Sequence, residues 1–250
     1  MITIIIPVHN EADNIPPLMD KIAVAAKNAP ITEVIYVDDG STDGTPAALD
    51  KACAAHKFLR VVRHGGKCGQ SAALWTGIAA AKSKLIATLD GDGQNDPADI
   101  AKLYGQYLAA GAGRVMVAGQ RARRHDNIVR RLSSRIANKV RSALLKDGVR
   151  DTGCSLKLFT REDFLLLPRM NHLHRFLPAL MQREGVTVAL CDVSHHPRAH
   201  GVSKYGMWDR LWVGIADLFG VRWLQSRAFK HVEIAEVTKG KSNDRVVDAA

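Results

Sequence analysis

A chain of 250 residues, 46% hydrophobic and 24% charged, is long enough to bury one large core and too ordinary in charge for a disordered protein. Its formal net charge of +10 implies an anionic partner, and composition leaves nucleic acid, a lipid headgroup layer and a phosphorylated substrate all open. Apolar runs stay short of the roughly eighteen residues that a spanning helix needs, and the opening MITIIIPVHN carries neither a basic leader nor a small-residue cleavage site.

The expected setting is therefore cytosolic. Cys53, Cys68, Cys154 and Cys191 form no CxxC pair, which points to reduced thiols rather than a disulfide framework or a zinc knuckle. Along the chain, short runs rich in Val and Ile alternate with longer helical patterns. Strands are expected at Ile2 to Ile6, Glu33 to Asp38, Leu59 to Arg63, Leu85 to Asp90, Val115 to Ala118 and Val186 to Val193. Helices are expected at Asp13 to Lys27, Thr45 to Lys57, Ser71 to Lys82, Pro97 to Ala110 and Leu173 to Glu184. This alternation predicts an α/β fold with a mostly parallel central sheet flanked by helices. Further on, Met207, Trp208, Leu211, Trp212, Ile215, Leu218 and Phe219 recur at helical spacing, predicting an amphipathic helix over Gly206 to Leu224 that carries three of the four tryptophans. The organisation expected is a catalytic domain over 1–205, an amphipathic helix suited to a membrane interface over 206–230, and a polar tail over 231–250.

Polar clusters fall at the carboxyl ends of the expected strands, where ligands of such sheets bind. They are His9-Asn10-Glu11, Asp38-Asp39-Gly40-Ser41 and Asp90-Gly91-Asp92-Gly93-Gln94. A single acid satisfies a turn; three acidic clusters on one edge call for a ligand. If the fourth strand runs on through Asp90, then Asp90, Asp92 and Gln94 alternate onto one face and converge as oxygen donors on a hard cation, magnesium or manganese. A basic stretch from Arg121 to Arg150, interrupted only by Asp126 and Asp147, is a second candidate site, for phosphate.

IPVHNE (6–11), VDDGSTDGT (37–45), GQSAALWTGI (69–78) and LDGDGQNDP (89–97) together resemble the family-2 glycosyltransferases, which have the GT-A fold. The branch most similar contains the dolichol-phosphate mannose synthases and bacterial polyprenyl-phosphate glycosyltransferases. The resemblance implies a nucleotide-diphosphate sugar donor, with Pro7, His9, Glu11, Asp38 and Asp39 at the nucleoside; His9 stands where the family commonly has Tyr. It implies Asp90 at the ribose or the metal shell and Asp92 with Gln94 on Mg2+ or Mn2+. It also implies a polyprenyl phosphate acceptor, with Arg121, Arg130 and Ser134 on its phosphate and Arg198 and Lys204 completing the pocket. The reaction implied is a single inverting displacement, at the inner face of a membrane that the protein touches peripherally. An acceptor phosphate with a second pKa near 6 arrives already ionised, so Asp151 is expected to orient an arginine more than to act as base. Two other readings stand beside this one. A polysaccharide or other hydroxyl acceptor would keep the donor site, whereas a basic nucleic-acid-binding module would use Arg121 to Arg150 but have no use for Asp90, Asp92 and Gln94.

Overall fold

The computed structural model describes residues 1–111, 113–121, 141–197 and 207–228, and in the last stretch the side chains from 214 onward. Seven strands form one sheet in the order β3-β2-β1-β4-β6-β5-β7. The strands are β1 (Ile2–Val8), β2 (Ile31–Asp38), β3 (Leu59–Arg63), β4 (Leu85–Thr88), β5 (Val115–Arg121), β6 (Lys157–Thr160) and β7 (Thr187–Val193). Every neighbouring pair is parallel except those involving β6, which runs antiparallel to both β4 and β5. The helices are α1 (Ile15–Ala25), α2 (Thr45–Ala55), α3 (Gln70–Ala80), α4 (Ile100–Ala109), α5 (Arg161–Leu165), α6 (Leu173–Arg183) and α7 (Met207–Ser226). The α/β expectation, with its mostly parallel sheet, holds.

Both faces of the sheet are covered, which is why β1 reads as an unbroken apolar run. Period-two alternation sends Ile4, Ile6 and Val8 into one layer with Ile15, Leu18 and Ile22 of α1 and with Ile100 and Leu103 of α4. Ile5 goes to the other face, packing with Ala73, Leu74 and Ile78 of α3, with Phe159 and Phe164, and with Leu177 and Leu180 of α6. The central strands pin the edge where the chemistry gathers.

The crossovers leave β1 for β2 and β3 on one side and resume at β4 on the other, so β1 and β4 flank a topological switch point. Because β6 runs the other way, the loop that leads into it meets the edge at which β1, β4 and β5 end. That reversal brings Asp151, Ser155 and Lys157 to the acid-bearing edge. Neither β6 nor α5 is foreseen by the sequence reading.

One expectation needs correction. Strand β4 ends at Thr88, not Asp90, and residues 91 and 92 form a turn. Gly91 sits so close to β1 that a Cβ there would lie 2.4 Å from Val8 Cγ1, and Gly93 has φ +72. The chain bends at this point, so strand alternation does not place Asp90, Asp92 and Gln94 together. In α7, Leu218 and Val221 are buried against the α6 layer, whereas Ile215, Phe219 and Trp223 are exposed. Ile215, Leu218 and Phe219 follow one another at helical spacing, and their apolar stripe runs across the boundary between the packed and the exposed side of the helix. Hydrogen bonds hold α7 to the domain, from Arg183 Nε to Leu224 O at 3.0 Å and from Gln225 Nε2 to Leu145 O at 3.0 Å. His172 Nδ1 also meets Asp217 Oδ2 at 2.7 Å.

Candidate active site

The first corner of the site is built where β1 and β2 end. Asp38 is buried and its Oδ1 accepts the Ser41 N–H at 2.9 Å, closing the turn after β2. Asn10 holds the β1 loop to the β2 loop, accepting the Thr42 N–H at 2.8 Å, while its own N–H donates to Ser41 Oγ at 3.0 Å. The Glu11 N–H donates to Thr45 Oγ1 at 2.8 Å, and its carboxylate accepts from Asn14 Nδ2 at 2.6 Å. His9 donates through Nδ1 to Asp39 O at 3.0 Å. Pro7, His9, Glu11, Asp38 and Asp39 therefore lie on two adjoining loops.

Asp39 is 4% exposed, yet its carboxylate is richly served. Oδ1 accepts from His64 Nδ1 and from the Cys68 N–H, each at 2.8 Å, and Oδ2 accepts the Gly69 N–H at 2.8 Å. Burial pushes its pKa up, but these donors outweigh burial and hold it below the ordinary carboxylate value. His64 completes a relay through Nε2 to Thr76 Oγ1 at 3.0 Å. Ligand atoms of Asp39, His64 and Cys68 lie within 4.8 Å of one another, close enough to share a cation. Mixed N, O and S donors suit softer ions than magnesium, and the hydrogen bonds already satisfy the carboxylate without one.

The second corner is the turn after β4. Asp90 Oδ1 accepts from Gln70 Nε2 at 2.9 Å, and its N–H donates to Ser155 Oγ at 3.1 Å. Ser155 in turn donates to Asn95 Oδ1 at 2.6 Å, tying the β6 loop to the acidic turn. Asp92 is 7% exposed and accepts the Gln94 N–H at 3.1 Å. Burial first, and the charge of Asp92 second, push Asp90 up to about 6. Asp90 and Asp92, close enough for the charge of one to raise the pKa of the other, make an all-oxygen pair that fits a hard divalent cation.

The third corner belongs to β5 and the β6 loop. Arg121 closes a two-point fork on Asp151, Nε to Oδ2 at 2.5 Å and Nη2 to Oδ1 at 2.8 Å. Gln120 Oε1 fixes the base of that fork by accepting the Asp151 N–H at 3.0 Å. At Asp90 lies a cavity of about 190 Å³, lined also by Pro7, Gln70, Ser155, Lys157, His174 and Arg175. Ser71 Oγ meets His174 Nδ1 at 2.9 Å, and burial drives the pKa of His174 down to about 3, so the ring is neutral.

The structure thus brings Pro7, Asp90 and the loop before β6 around one cavity and sets Arg121 with Asp151 beside them. Arg130, Ser134, Arg198 and Lys204 lie outside the described residues. The sequence reading gave no role to His64, Gln70, Ser155, Lys157, His174 or Arg175. Gln70 stands inside the segment 69–78 that carries the resemblance, which is the available signal, whereas Ser155 lies outside those segments.

An acid-lined switch point in a sheet of this order defines a GT-A-type glycosyltransferase fold. Solved structures agree: glucosyl-3-phosphoglycerate synthase from Mycobacterium tuberculosis, in complex with Mn2+, uridine diphosphate and glucosyl-3-phosphoglycerate, superposes with TM-score 0.65 at 21% identity, over 94% of this chain and 84% of that one. Mannosyl-3-phosphoglycerate synthase from Rubrobacter xylanophilus gives 0.67 at 17% identity, over 96% and 79%. The chain belongs to glycosyl transferase family 2, whose pattern matches residues 3–165. Among curated relatives, a dodecaprenyl-phosphate galacturonate synthase from Rhizobium johnstonii is 35% identical over 227 residues, covering 88% of this chain and 66% of the relative. An undecaprenyl-phosphate 4-deoxy-4-formamido-L-arabinose transferase from Aeromonas hydrophila is 32% identical over 210 residues, covering 83% and 63%. The chain spans just under two thirds of these relatives' own length.

Proposed function

We propose that this protein is an inverting glycosyltransferase that moves a sugar from a nucleotide-diphosphate donor to a polyprenyl phosphate. The observation that carries the reading is the Arg121–Asp151 fork beside Asp90. Asp151, the candidate base of the sequence reading, is committed to an arginine through two bonds, which suits an acceptor that needs charge neutralisation rather than deprotonation. Both curated relatives are named for polyprenyl-phosphate products.

In this reading the β1 and β2 loops hold the nucleoside. Asp39, kept ionised, is committed to His64 and the backbone of Cys68 and Gly69, and so fixes the walls of that corner. Asp92, Gln94 and Asp90 would hold Mg2+ or Mn2+, which when bound offsets the charge of the donor's diphosphate. Arg121, oriented by Asp151, receives the acceptor phosphate with Arg130 and Ser134, and Arg198 and Lys204 close the pocket. An oxygen of that phosphate attacks the anomeric carbon as the nucleoside diphosphate leaves from the opposite face.

The exposed stripe of Ile215, Phe219 and Trp223, with Arg222 and Arg227 beside it, supports a peripheral seat on an anionic membrane, at its cytoplasmic face. Among the described residues no helix is long and apolar enough to cross a membrane. A hydroxyl acceptor is the second reading, favoured by Asp90, whose pKa near 6 would serve a general base. Labelled donor supplied with polyprenyl phosphate decides between them: label in the organic phase supports the lipid acceptor, and label that stays water-soluble overturns it.

A further inference from the structure

The cavity at Asp90 is lined by two cationic side chains, Lys157 and Arg175, and by the one carboxylate of Asp90. Its volume, about 190 Å³, falls below the roughly 300 Å³ at which sites for drug-sized ligands begin, which sets the occupant near the size of one monosaccharide. Pro7 and Asp90, at the ends of β1 and β4, line it together with Lys157 and Arg175. Lys157 is only 3% exposed, and its ammonium donates to the backbone carbonyls of Cys154 and Thr152. An ammonium has three donors, so these two bonds leave one. Among the described residues no carboxylate lies within ion-pair distance of Lys157. Burial pushes its pKa down, against the pull of Asp90 and Asp151. A buried cation without a counter-ion is costly unless an anion joins it. His174 adds no charge, because it is neutral and bound to Ser71.

We infer that this cavity takes the donor's sugar, and that Lys157 with Arg175 selects a sugar bearing a carboxylate, making the substrate class a nucleotide-linked uronic acid. The inference rests on the transferase reading above and deepens it. A hydroxymethyl group at the same position would leave the ammonium facing a neutral partner, whereas a carboxylate accepts a charge-assisted bond from Lys157 and gives the guanidinium of Arg175 a second oxygen.

Titration calorimetry on the full chain with manganese compares donors that differ only at C6: UDP-galacturonate against UDP-galactose, and GDP-mannuronate against GDP-mannose. The expected result is binding of one uronate at least about tenfold tighter than its neutral twin, the scale of one hydrogen bond to a charged group. The same order should hold in transfer to polyprenyl phosphate, and Lys157→Met and Arg175→Gln should each shrink the ratio towards unity. The wild-type comparison needs no variant, so a Lys157→Met protein that fails to fold leaves the test intact. Equal or tighter binding of the neutral twin overturns the inference, even where the neutral sugar reaches the lipid and the transferase reading stands. A uronate preference in binding with no organic-phase product leaves the inference standing and sinks the lipid acceptor. Binding of neither pair sinks both.

Discussion

Replacing Asp151 by Asn tests whether that carboxylate orients an arginine or takes a proton. Arg121 and Asp151 are 15% and 12% exposed in their side chains, and two hydrogen bonds join them. Removing one partner of a buried pair outright costs about 3–5 kcal/mol. Asparagine keeps one oxygen for the guanidinium and turns the other contact into a clash of donors, and the pair is not wholly dry, so the expected loss is about 1–3 kcal/mol. In a chain of this size that lowers the melting temperature by roughly 2–10 °C. In the transfer assay, Asp151→Asn should raise KM for the polyprenyl phosphate by about tenfold, as a loosened arginine would, while kcat falls less. Asp92→Ala should bring transfer to background. A folded Asp151→Asn protein as dead as Asp92→Ala would refute the reasoning and make Asp151 the base.

Asp90 supplies a pH prediction. Without a cation its folded pKa is about 6 against an ordinary 3.8, so the folded protein holds the proton more tightly than the unfolded chain. Stability therefore falls as pH rises from about 4 to about 6. Metal-free Asp90→Asn should be more stable than wild type by about 1–3 kcal/mol at pH 7.5 and by almost nothing at pH 4, read by urea unfolding; an equal difference at both pH values would contradict this. Gly77→Ala would put a Cβ 2.7 Å from Ile5 Cγ2 and 2.9 Å from Val37 Cγ2; overpacking at that helix–sheet contact should cost about 1–3 kcal/mol in the same assay, and a neutral result would mean that the layers yield. Phe219→Ser combined with Trp223→Ser should cut flotation with anionic liposomes several-fold while leaving the melting temperature within a few degrees, because both side chains are exposed. Unchanged flotation would remove α7 from membrane contact.

Strong local patterns made much of the edge legible. The Val and Ile runs of β1, β2 and β3 announced buried parallel strands, and the polar residues at their ends announced a ligand edge. What the sequence hid came from contacts between distant residues. β6 is four residues long and begins with a lysine, so no apolar run marks it; only its pairing with β4 and β5 makes it a strand. Gln70 and Ser155 reach Asp90 from 20 and 65 residues away. At Asp90 to Gln94 the spacing suggested a shared strand face, but crowding of Gly91 on Val8 and the positive φ of Gly93 bend the chain. In α7 the period marks the helix, but only its packing against the α6 layer shows that Leu218 and Val221 are buried while Phe219 and Trp223 stay exposed.

The most direct test is calorimetry of UDP and GDP binding with and without manganese, on wild type and Asp92→Ala. The account predicts that one of the two nucleotides binds wild type at least about tenfold tighter with manganese, and that Asp92→Ala loses this gain while keeping its metal-free affinity. Binding indifferent to the cation, or a gain that survives Asp92→Ala, would contradict the account.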